Sequence, residues 1–199
     1  MRIKIRILPT LALISLNTAL ASEPTLCLSC HGDNSRAATS APLLDAQLKP
    51  YLQKQLQQFR AGERGSDPAD AAGQTMAAVA KTLTDADIAQ FAGYFAALPK
   101  TAVAAEPAAA ELLDKGRRLY IGNCGTCHGN QAEGNNALHA PALAAQSPAY
   151  LLLQLQHFRS GLRGQLKTDK PGRQMAMMAK TLTEQDVQAV VAYIGAGLP

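Results

Sequence analysis

The chain has 199 residues, with 19 basic against 15 acidic side chains and a formal charge of +4. Three of the basic residues, Arg2, Lys4 and Arg6, fall within the first 21 positions, which leaves 16 basic against 15 acidic residues beyond them. That near-neutral balance, with no basic patch interleaved with aromatics, argues against nucleic acid as a partner.

The three basic residues precede a mostly apolar run over 7–20, and Ala19-Leu20-Ala21 forms a small-residue cleavage site. This is the pattern of a secretory leader, so residues 1–21 are predicted to be cleaved after Ala21 and the remainder exported to the periplasm. The run is shorter than the ~20 apolar residues that span a bilayer, and it contains Pro9. No later apolar stretch is long enough to span, so the exported chain is predicted to be soluble, docking on membrane complexes at most.

Cys27-Leu28-Ser29-Cys30-His31 and Cys124-Gly125-Thr126-Cys127-His128 together use every cysteine in the chain. C-x-x-C-H is the pattern of c-type haem attachment, in which two thiols add across the porphyrin vinyl groups and the histidine reaches the iron. Paired C-x-x-C motifs also build zinc sites and dithiol redox centres. Zinc pairs usually stand about 15–20 residues apart, whereas these stand 97 apart, and no strand-like alternation surrounds them. Neither rival explains a histidine after both pairs. Cys27, Cys30, Cys124 and Cys127 are therefore read as covalent haem attachments, and His31 and His128 as proximal ligands of two haem c groups.

The stretch from Tyr51 to Gly62 recurs from Tyr150 to Gly161, an offset of 99 that also maps Met76 onto Met175 and Lys81-Thr82-Leu83-Thr84 onto Lys180-Thr181-Leu182-Thr183. The sequence is thus one unit written twice. Leu52, Gln55, Leu56 and Phe59 keep helical spacing, with Gly62 placed to end that helix. Thr84 and Thr183 are predicted N-caps, with Asp87 and Asp186 at the capping-box position, and apolar stripes follow each. The fold class is all-α: a leader over 1–21, one haem domain over 22–100, an alanine-rich linker over 101–110 and a second haem domain over 111–199. About 80–100 residues make a small core, and a buried macrocycle would complete it.

Met76 and Met175, in matched register, are the predicted sixth ligands, with Met177 and Met178 read as packing residues and as the fallback in the second unit. Methionine opposite histidine fills both axial positions and raises the potential. A filled site favours electron transfer over catalysis. His139 and His157 read as solvated residues.

The two C-x-x-C-H-G runs, the two Phe-Arg-x-Gly helix ends and the two capped terminal helices resemble a two-domain class I cytochrome c, closest to the cytochrome c4 group, over nearly all of the mature length. The resemblance implies tandem class I domains related by a pseudo-twofold axis, each wrapped round one haem with its propionate edge near the interface. It implies Pro42 and Pro141 as the carbonyls that hold the proximal histidines. From their place in the repeat, Arg60 and Arg159 are expected at the propionates. One departure stands out. The second domain has a first helix over 109–120, with Gly116 placed to cross near Tyr193, but the first domain has only residues 22–26 before Cys27. Its Phe91, Tyr94 and Phe95 are expected to lack a crossing partner.

Two further contrasts separate the copies. Asp67 and Asp70 in the first face Lys167, Asp169, Lys170 and Arg173 in the second, which predicts haem faces of opposite sign. Gln53, Lys54 and Glu63 become Leu152, Leu153 and Leu162, a predicted apolar patch that contacts the first domain or a partner, unless a rotated helix buries it locally. The function expected is electron carriage between a donor dehydrogenase or quinol-oxidising complex and an acceptor such as a terminal oxidase. The alternatives are a cytochrome subunit of a larger periplasmic dehydrogenase and a two-haem peroxidase or oxidoreductase, the last needing an open iron.

Overall fold

A computed structural model describes residues 24–198, and the leader assigned to residues 1–21 lies outside them. Apart from a single bridge between Asn135 and Ala140, the described residues form helices and turns. The first half holds α1 (Thr25–His31), α2 (Asp33–Thr39), α3 (Lys49–Arg60), α4 (Ala71–Ala80) and α5 (Asp85–Ala97). The second holds α6 (Ala110–Leu119), a π-helical turn (Tyr120–Cys124), α7 (Gly125–His128), α8 (Pro148–Ser160), α9 (Lys170–Thr181) and α10 (Glu184–Gly195). No helix among the described residues is long and apolar enough to cross a membrane.

Local chemistry sets the helix ends. Thr84 and Thr183 close full capping boxes with Asp87 and Asp186. Asp70 and Asp169 cap α4 and α9 by accepting from the Gly73 and Gly172 amides. Gly161 ends α8 in the left-handed region, at φ 87°.

The two cores differ in size, and the first helix explains why. In the second half α6 crosses α10, where Tyr120, Leu151, Val187, Val190, Tyr193 and Ile194 form one buried cluster. A Cβ on Gly116 would meet the Ala189 carbonyl and lie 2.7 Å from Tyr193 Cβ, so only glycine allows this crossing. The first half has no described helix at the corresponding place. Phe91 and Phe95 are nonetheless buried, by Leu52, Leu44 and Cys27 in the case of Phe95, while Tyr94 is 40% exposed against 6% for its counterpart Tyr193. Among the described residues nothing covers Tyr94 as α6 covers Tyr193, whereas the two phenylalanines are covered.

The leucine patch is not exposed. Leu152 packs against the second half's own core, and Leu153 and Leu162 are half-buried. Lys54, expected in water, is half-buried and pairs with Asp169 across the interface at 2.9 Å.

Candidate haem centres and their interface

In each half the first cysteine of the motif turns inward and the second outward. Cys27 and Cys124 pack on the cores, whereas Cys30 and Cys127 are exposed. Burial, with Cys127 next to it, pushes the Cys124 thiol up to about 11. His31 and His128 are buried, and each Nδ1 lies 2.9 Å from a carbonyl oxygen, of Pro42 and Pro141 respectively. A carbonyl only accepts, so Nδ1 carries the proton and the Nε2 lone pair is left for a metal. Burial lowers the proton affinity of both rings, which keeps them neutral, as metal ligation requires.

Met76 on α4 and Met175 on α9 are half-buried in matching positions. The first lies against Phe59, Ala77 and Ala80, the second against Phe158, Ala176 and Ala179. Met177, read from sequence as packing, is 61% exposed, because it lies nearly half a turn round α9 from Met175. Met178 is half-buried at the end of the same helix. Among the described residues no cluster of three or more His, Cys, Asp or Glu could hold a metal ion, so the cysteine pairs do not assemble the four-ligand set of a structural zinc site.

Arg60 and Arg159, expected at the propionates, bond protein groups in this structure. Arg60 donates to the Leu83 carbonyl and to Asp85, and Arg159 donates to Glu184, so both tie the Phe-Arg helix to the start of the terminal helix. Four residues later in each copy stand Arg64 and Arg163, which sequence reading missed. They lie at the domain interface, over the Phe59 and Phe158 rings at 4.4 and 4.5 Å. Arg64 donates to Gln55 and Gln154, and Arg163 donates to Gln154, Gln55 and the Tyr51 hydroxyl. Neither pairs with a carboxylate within 4 Å among the described residues. Burial and the neighbouring Arg163 both push the Arg64 guanidinium down. Two cations side by side without a counter-ion are costly, and a pair of carboxylates brought by a bound group would relieve that cost. The residues present therefore fit a haem in each half.

Gln47 and Gln146 form a second reciprocal set. Gln146 accepts from the Leu43 amide at 3.0 Å and donates to the Leu43 carbonyl at 2.8 Å. Gln47 does the same with Ala142, at 2.9 Å each way. Both glutamines and both arginines recur at an offset of 99, so repetition without a local helical role was the signal that could have exposed them.

Asp70 and Asp169 belong to this interface too, not to free haem faces. Asp169 holds Lys54 and Gln58, while its counterpart Asp70 faces His157 Nδ1 at 3.9 Å. His157 is 8% exposed, which corrects the solvated reading; His139 is exposed as expected.

The cytochrome c family model matches residues 20–99 and again 113–197. A cytochrome c4 of Azotobacter vinelandii is 32% identical over 183 residues, 86% of this chain and 84% of that one. The thiosulfate dehydrogenase electron acceptor of Stutzerimonas stutzeri is 37% identical over 175 residues, 84% of this chain and 76% of that one. The crystal structure of reduced cytochrome c4 from Pseudomonas stutzeri superposes with a TM-score of 0.70 at 30% identity, covering 87% of this chain and 94% of that one. With two haem attachment motifs in two all-helical halves, each answered by a matched histidine and methionine, the chain belongs to the cytochrome c4 family of di-haem electron-transfer proteins.

Proposed function

We propose that the chain is a periplasmic shuttle that accepts electrons from a dehydrogenase or quinol-oxidising complex and passes them to an acceptor such as a terminal oxidase. The observation that carries this reading is the reciprocal interface. Two matched histidine–proline frames are tied to each other by side chains of opposite halves, an arrangement that suits electron passage between two centres.

When bound, each haem iron takes up or releases one electron. Cys27, Cys30, Cys124 and Cys127 would hold the macrocycles covalently, and His31 and His128, with Nδ1 fixed on a carbonyl, would offer Nε2 to the irons. Met76 and Met175, half-buried in matching positions, would supply a thioether to each iron and leave it closed to other ligands. Arg64 and Arg163, half-buried side by side at the interface, would neutralise the propionates. Phe59 and Phe158 exclude water from the methionine side.

The donor is best sought among periplasmic sulfur-compound dehydrogenases, given the relative named as a thiosulfate dehydrogenase electron acceptor. Purified holoprotein should take two electrons per chain from such a dehydrogenase and return them to oxidase-containing membranes. Carbon monoxide binding by the unmodified reduced protein, or peroxide turnover by it, would instead indicate an open iron and an enzyme.

A further inference from the structure

Each proximal histidine donates to a peptide group whose other end is held by the opposite half. His31 Nδ1 lies 2.9 Å from the Pro42 oxygen. The N–H of that same amide, at Leu43, donates to Gln146 Oε1 at 3.0 Å. In the mirror arrangement His128 Nδ1 lies 2.9 Å from the Pro141 oxygen, and the Ala142 N–H donates to Gln47 Oε1 at 2.9 Å. The returning bonds from the two glutamine amides fix each side chain in place. Gln146 and Gln47 are 6% and 5% exposed, so water does not compete for these bonds.

The carbonyl and N–H of one peptide are conjugated. An acceptor on the N–H draws the amide toward its charge-separated form, which makes the carbonyl oxygen more negative. The histidine then donates into a stronger acceptor and becomes a more basic ligand. A more basic axial ligand favours iron(III) and lowers the potential, second-shell hydrogen bonding being one of the protein's levers on haem.

We propose that Gln146 is a positioning residue for the iron of the first domain and Gln47 for the iron of the second, so that each domain sets the potential of the other's haem through one peptide group. This rests on the haem assignment above.

The test uses the holoprotein with Gln146→Leu and, separately, Gln47→Leu. Each haem is followed through a redox titration by the NMR signal of its own axial methionine methyl. Gln146→Leu should raise the midpoint of the first domain's haem and leave the second unchanged, although the substitution lies in the second domain. Gln47→Leu should give the reverse. Gln146→Met and Gln47→Met, which keep the side-chain length without the amide, should show the same crossed pattern and stand in if leucine impairs folding. Shifts confined to the haem of the substituted domain, equal shifts of both haems in both variants as from a loosened interface, or no shift would each overturn the proposal. A wild-type chain without two histidine–methionine haems would be a distinct result, removing the underlying assignment and the proposal with it.

Discussion

Met76 and Met175 carry the assignment at the scale of single residues, because they decide between a closed and an open iron. Replacing either with alanine should lower the potential of one haem, create one site for small ligands and halve the weak sulfur-to-iron band near the red end of the oxidised spectrum. The double variant should lack the band, which visible spectroscopy reads directly. His157 gives a second residue-level prediction. Burial lowers its proton affinity below the ordinary value of about 6.5, Asp70 partly restores it, and Arg64 and Arg163 lower it again. A ring that binds its proton less readily when folded adds stability that is complete above pH 6.5 and is lost as pH falls from there through the folded value. His157→Gln copies Gln58, whose amide bonds Asp169 in the mirror position. The variant should lose less stability than the wild type between pH 7 and pH 5, as followed by thermal unfolding. The cysteines, histidines and methionines assigned to the two centres stand out in the sequence because their spacing repeats. The burial of His157 was not, since it depends on Asp70, which lies far along the chain and in the other domain.

Helix α6 is the element that distinguishes the two halves. Its Gly116 lies against the Ala189 carbonyl, and its Lys115 pairs with Asp186 at 2.8 Å, holding that carboxyl well below the usual range. Gly116→Val would force the helices apart at a cost of about 1–3 kcal/mol. Denaturant unfolding should show that loss in the second haem domain and spare the first. The caps offer a contrast at the same scale. Asp70→Ala removes a cap worth about 1 kcal/mol. Asp169→Ala removes the equivalent cap and also leaves Lys54 without its carboxylate, so it should be the more destabilising of the two in the same assay. Capping boxes, the glycine stop and the need for a close crossing at Gly116 are local patterns, and sequence periodicity revealed them. Leu152 packs against the second half's own core, a contact that the change from Gln53 to leucine does not reveal by itself.

Across the whole molecule, the interface converts two small domains into one redox unit. Gln47, Gln55, Arg64 and their counterparts Gln146, Gln154 and Arg163 repeat the same bonds about a pseudo-twofold axis. Such reciprocity marks an isologous contact, here within one chain. Tandem domains were readable from the repeat, but which of the repeated polar residues meet was not, because symmetry in sequence does not say which faces touch. Charge follows the same lesson. Asp70 and Asp169 are used up at the interface, which leaves exposed Asp67 in the first domain against exposed Lys167, Lys170 and Arg173 in the second. Encounter rates with an acidic redox partner should therefore fall as salt rises, and neutralising those three cations should remove most of that dependence.

Spectroelectrochemical titration of the purified holoprotein decides whether the chain carries two closed haems. Two covalently attached, low-spin haems per chain, each titrating as a one-electron centre and each retaining its sulfur-to-iron band when oxidised, are the result predicted. A single haem, or a high-spin iron that binds carbon monoxide without mutation, would contradict it.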